Sequence, residues 1–110
     1  LVWQVTLVFA ESAVFDLENI RTYYHAQGAA DVGRDIIAAI IERIENIPLH
    51  PESGRVVPEF GYRSLREVFF PPFRIVYKIH FAPGSGVKES FRRVEIVRVW
   101  RSERILELPQ

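Results

Sequence analysis

Residues 62–82, YRSLREVFFPPFRIVYKIHFA, decide the fold. Two strand-type runs, YRSLREVFF and FRIVYKIHFA, flank the pair Pro71-Pro72. In the second run Phe73, Ile75, Tyr77 and Ile79 fall on one side, and Arg74, Val76, Lys78 and His80 on the other, the two-residue period of a strand. Proline cannot donate to a ladder, so the pair belongs in the turn, and the two runs make an antiparallel hairpin. PGSGVKES (83–90) then connects to a further strand, RRVEIVRVW (92–100). Strict alternation there puts Trp100 with Val94, Ile96 and Arg98, and Arg101 with Val97 and Val99.

Upstream the period changes. Residues 2–9 read as a first strand, rich in Val, Trp, Thr and Phe. In ESAVFDLENIRTYYHAQG (11–28), Ala13, Leu17, Ile20 and Tyr24 make one helical stripe. Asp16, Glu18, Asn19 and Arg21 lie mostly on other faces. Ser12 is the predicted N-cap and Gly28 the predicted stop. A second helix is predicted over 30–47 with Asp31 as its cap; Pro48, Pro51 and Gly54 end it. So short a link makes the helices an antiparallel hairpin. The tail 101–110 reads as short helix or coil. The order is β-α-α-β-β-β, an α+β domain over residues 1–110 whose helical hairpin covers an antiparallel meander.

A chain of 110 residues supports one core and is marginal for two. Hydrophobic content of 48% and charged content of 25% fit a soluble globular protein. No apolar run approaches the ~20 residues that span a bilayer, and the apolar start lacks the basic region and cleavage site of a signal peptide. With no Cys there is no disulfide scaffold, thiol nucleophile or zinc–cysteine site, which suits the cytoplasm. The zero net charge conceals an asymmetry. Residues 1–54 hold three basic against eight acidic residues, and residues 55–110 eleven against six. Such a division points to a charged partner.

Few residues suggest chemistry. His25, His50 and His80 are scattered without ligand-like spacing, so neither a metal site nor a cofactor is expected. Ser12, Ser64 and Ser85 lack a nucleophile-elbow context, and Gly84-Ser85-Gly86 lacks the spacing of a phosphate loop. The basic half has no interleaved aromatics for stacking single-stranded bases. Arg98, Arg101 and Arg104, at a spacing of three beside Trp100, stand out. So does the stripe Ile36, Ile37, Ile40, Ile41, Ile44 and Ile47, broader than one packing face requires.

The segments FAESAVFDLENIRTYY, IPLHPESGRVVPE, LREVFFPPFRIVYKI and VEIVRVWRSER, in this order and spacing, resemble the ParE/RelE superfamily of bacterial type II toxin–antitoxin toxins, on its ParE-like plasmid-stabilisation branch. The resemblance implies a helical hairpin on a curved antiparallel sheet. It also implies a cognate ParD-like antitoxin that wraps and neutralises the toxin in a hetero-oligomer. ParE-like members poison DNA gyrase, whereas RelE-like members cleave mRNA on the ribosome.

Under the RelE-like reading, Arg74, Arg101 and Arg104 match basic catalytic positions. The RelE lysine pair falls, by spacing back from Arg74, on Leu65 and Glu67, and no Tyr or His follows Trp100 to serve as general acid. Arginine does not fill that role, because its pKa is above ~12. The expected function is therefore a toxin that binds a protein target, DNA gyrase. The alternatives are a ribosome-dependent mRNA endonuclease and an inactive homologue that binds only antitoxin. Arg66, Arg74, Arg98, Trp100, Arg101 and Arg104 are the expected target-binding residues. Ile36, Ile37, Ile40, Ile41 and Ile44 are the expected antitoxin surface, in the manner of helix-in-groove recognition.

Overall fold

In the computed structural model, residues 5–81 and 91–109 are described; the predicted connection 83–90 and the start of the first strand lie outside them. The elements are β1 (Thr6–Phe9), α1 (Glu11–Ala26), α2 (Ala30–Glu45), β2 (Arg55–Val56), β3 (Leu65–Phe70), β4 (Phe73–Phe81) and β5 (Phe91–Arg101). Two single 3-10 turns, Ile47–Leu49 and Pro51–Ser53, link α2 to β2. The meander is as expected, with Pro71-Pro72 between β3 and β4. Two features are additional. Strand β2 extends the sheet beyond β3, and β1 runs parallel to β5, giving the order β1-β5-β4-β3-β2.

The helices cover one face of the sheet. Ala13 and Ile20 of α1 and Ile40 and Ile44 of α2 pack on Val68, Phe73, Ile75, Tyr77, Ile79, Val94, Ile96 and Val99. Within that core the Tyr77 hydroxyl accepts from the Gly54 amide (3.1 Å) and donates to the Pro51 carbonyl (2.5 Å), seating the proline-glycine turn on the sheet. A second, smaller cluster occupies the outer face: Val57, Leu65, Val76, Val97 and Leu106. The chain thus builds a core on each side of one sheet, because the 57–64 segment and the tail fold back over the face the helices leave open.

Strict alternation in β5 is corrected by a bulge. Tyr77 pairs with Ile96 but Val76 with Arg98, so Val97 has no opposite number. An extra residue inverts the phase of everything after it. Val94 and Ile96 therefore join Val99 on the helix side, while Val97 and Trp100 pack on the outer side. Arg101 lies with Phe73, its guanidinium 5.6 Å from the ring centre.

Neither predicted N-cap forms. Ala10 and Ala29 precede the helices without side-chain capping bonds. Ser12 instead donates to the Val97 carbonyl at 2.6 Å, and Asp31 pairs with Arg34 at 3.2 Å on the surface. The reason lies at the β5 edge. Strand β1 covers β5 only as far as Ile96, so the backbone groups beyond it need partners from α1. Asp16, one turn after Ser12, accepts the Val99 amide at 2.9 Å and is buried, not on an outer face. The two side chains continue the ladder that β1 abandons.

Gly28 does end α1 as expected: it takes φ +73°, the left-handed conformation glycine adopts without penalty. Helix α2 ends at Glu45, two residues short of the prediction, and Ile47 is buried in the first 3-10 turn. A Cβ at Gly33 would lie 2.7 Å from the Tyr24 Cβ, so the helices meet at a contact only glycine allows.

Candidate functional site

Past the bulge, the free edge of β5 and the turn after it face the exposed side of α1 across a groove of about 520 Å³. Arg98, Trp100, Arg101 and Arg104 line one wall, and Phe15, Asn19 and Tyr23 rise from α1 on the other. Phe15 is 63% and Tyr23 57% exposed, high values for aromatic side chains on a helix. Neither belongs to the apolar stripe that attaches α1 to the sheet. They make an aromatic wall opposite a cationic one.

The three arginines differ in what they already hold. Arg98 makes a bidentate pair with Asp16 (2.8 and 2.7 Å), donates to the Glu107 carbonyl (3.0 Å) and stacks 4.0 Å over the Trp100 ring. The hydrogen-bonded Asp16 carboxylate raises its pKa further. Its guanidinium is therefore part of the frame. Arg101 is half-exposed and pairs with the exposed Glu103, two residues away. Among the described residues the exposed Arg104 side chain has no hydrogen-bond or ion-pair partner. Arg101 and Arg104 are thus the cations available to a visitor.

Arg66 and Arg74, both expected among the target-binding residues, lie on opposite faces of the sheet. Arg66 sits opposite Tyr77 on the helix side and donates to the carbonyls of Glu52 (3.2 Å) and Gly54 (3.1 Å). Arg74 is buried on the outer face, between Glu67 (2.6 Å) and Glu59 (2.7 and 3.0 Å). The hydrogen-bonded Glu59 raises the pKa of Arg74, and Arg74 holds that of Glu59 low. The fully buried Glu67 also binds Arg55 at 2.6 Å. Glu67 is thus a counter-ion that allows Arg74 to be buried. Leu65, two residues before it, is core. All three guanidinium nitrogens of Arg74 are engaged by Glu59 or Glu67.

The isoleucine stripe also divides. Ile40 and Ile44 have no exposed surface, so they cannot meet an antitoxin in the folded state. They stand four residues apart on the face that packs on the sheet. Ile36 and Ile37 are partly buried against the core, and Ile41 is partly exposed. Val32, one turn before Ile36, is 50% exposed and extends this flank.

Sequence reading missed Asp16, Phe15 and Tyr23. The spacing of Phe15, Asn19 and Tyr23 at i, i+4 and i+8 was an available signal, since two aromatics on an off-core stripe have no packing role. Asp16 gave none, because its partners are some 80 residues away. His80 pairs across the sheet with Glu95 at 2.9 Å, and His25 and His50 are exposed. Among the described residues no cluster of His, Cys, Asp or Glu is arranged to hold a metal, and no helix is long and apolar enough to cross a membrane.

The groove can bind, orient and attract anionic groups. Among the described residues its wall contains neither histidine nor lysine, and a guanidinium keeps its proton throughout the neutral range. Against known proteins, the family described as ParE toxin of type II toxin-antitoxin system, parDE, matches residues 7–106. A solved structure, the chromosomal ParDE TA system from P. aeruginosa, is similar in fold with a TM-score of 0.68. It covers 91% of this chain and 98% of that one at 18% identity. A comparison with curated proteins gives no match.

Proposed function

As the chain belongs to the ParE toxin family of type II toxin–antitoxin systems, we propose that it arrests growth by binding a protein target, DNA gyrase, in the cytoplasm. One observation carries this reading: the solvent-accessible cations sit on an aromatic groove, while the arginine that RNA cleavage would need is buried between two carboxylates. In this reading Arg101 and Arg104 engage acidic groups of the target, Phe15, Tyr23 and Trp100 supply apolar contact, and Arg98 holds the wall in place. Opposite charge at a rim speeds encounter and sets orientation more than it adds affinity. Arg66 and Arg74 hold the fold rather than the target.

A cognate antitoxin neutralises the toxin. The partly exposed Ile36, Ile37 and Ile41, with Val32, offer its amphipathic segment an apolar flank on α2. Ile40 and Ile44 support that flank from inside.

The test is a gyrase supercoiling assay with purified protein. Inhibition or accumulation of cleaved DNA is expected, and its absence at high toxin counts against this target. Primer-extension mapping of mRNA after induction is the complement. Codon-phased cuts would replace the binding mechanism with the ribosome-dependent nuclease.

A further inference from the structure

After Arg101 the chain reverses. The Ser102 amide donates to the Pro72 carbonyl (2.8 Å) and the Arg104 amide to the Arg101 carbonyl (3.1 Å), closing the turn that carries Arg104. Residues 105–109 then run back over the outer face. Leu106 is buried among Val57, Leu65, Val76 and Val97, while Ile105 is 87% exposed and Glu107 is exposed. Among the described residues no backbone–backbone hydrogen bond holds 105–109. Two side chains do so instead: the Trp100 indole donates to the Ile105 carbonyl (3.1 Å) and Arg98 to the Glu107 carbonyl (3.0 Å).

Those two donors also line the groove. The Arg98 guanidinium therefore joins three parts at once: α1 through Asp16, the groove wall through the Trp100 ring, and the tail through Glu107. We infer that residues 105–109 are a strap that positions the rim of the groove, with Leu106 as the anchor and Arg98 and Trp100 as the clamps. The strap fixes the far end of the 102–104 turn, whose near end hangs on Pro72. Without it Arg104 stands on a turn tethered only at the Arg101 end of β5, and a site loosened in its support loses function before the domain unfolds. Leu106 touches no target in this account; it is a positioning residue. The functional half of the inference rests on the groove being the docking site.

The experiment compares Leu106→Ala and Leu106→Met with the parent, using hydrogen exchange resolved by residue and growth arrest after induction. In Leu106→Ala the Ser102 and Arg104 amides should exchange about tenfold faster, the change produced by roughly 1.4 kcal/mol of local stability. The turn should open with little urea dependence, as a local event, whereas Ile20, Ile40 and Tyr77 should exchange with the steep urea dependence of whole-domain opening, and growth arrest should weaken. Leu106→Met, close in volume, should restore both. The strap is refuted if the turn amides are unchanged, or if they open with the same urea dependence as the core amides, which makes Leu106 ordinary core. It is equally refuted if the turn loosens while growth arrest stays at the parental level. Failure of the parent to inhibit gyrase would refute the target alone, since exchange and growth arrest are both scored without identifying what the toxin binds.

Discussion

The outer face of the sheet and the groove at its edge both carry arginines in strand-like sequence, and they use them in opposite ways. On the outer face Arg74 is buried with all three guanidinium nitrogens bonded to Glu59 or Glu67. At the groove Arg104 is exposed with no hydrogen-bond or ion-pair partner among the described residues, and Arg101 has the exposed Glu103 as its ion-pair partner. The cause is what lies opposite. Strand β3 delivers a fully buried carboxylate to Arg74, whereas the turn after β5 faces the aromatic flank of α1. A buried pair organises the fold because breaking it strands a charge; a free surface cation costs the fold almost nothing and remains available to a partner.

The sharpest way to break this comparison is Glu67→Ala. It leaves Arg74 buried with one carboxylate and Arg55 with none, and should cost about 3–5 kcal/mol in urea-induced unfolding. A loss below ~1 kcal/mol would mean that water repairs the site and that Arg74 is less committed than its geometry indicates. Gly33→Ala should come next, at about 1–3 kcal/mol, because the new methyl collides with Tyr24 and must part the helices. A thermal melt measures it, and a neutral outcome would show the helical hairpin to be slack.

Glu59 gives a smaller effect with a definite sign. Its folded pKa lies below the unfolded value because it accepts hydrogen bonds from Arg74. Its contribution is therefore present above the unfolded pKa and is lost as pH falls through the folded one. The carboxylate is 39% exposed, so solvent screening limits the term to about 0.5 kcal/mol. Glu59→Gln should flatten the acid limb of the stability profile and leave activity unchanged. An unchanged acid limb would assign it to other carboxylates. Arg101→Ala with Arg104→Ala should be the mildest for the fold, within about 0.5 kcal/mol, yet should abolish growth arrest. A double variant that unfolds would erase the distinction between the two regions.

Sequence made the architecture legible where periodicity is local: the hairpin through Pro71-Pro72, the two-helix unit and the Gly28 stop all follow from neighbouring residues. It failed where a distant partner decides. Ser12 and Asp31 have the chemistry of caps, but Ser12 is drawn to a carbonyl on β5 and Asp31 to a surface arginine. The bulge at Val97 has no composition signal, so alternation placed Trp100 on the wrong face. The candidate site was half legible. The tract 98–104 reads as a functional edge, but an arginine held by two carboxylates, one of them fully buried, looks the same in sequence as one with none. Only the register of β3 on β4 separates Arg74 from Arg104.

Supercoiling by purified gyrase, titrated with the parent and with the Arg101→Ala/Arg104→Ala variant, tests the central claim most directly. The account predicts inhibition by the parent and none by the variant, with the two proteins indistinguishable in circular dichroism and in melting. Equal inhibition by both would remove the rim arginines from the mechanism. A parent that leaves supercoiling intact while cutting mRNA in codon phase would contradict the binding mechanism itself.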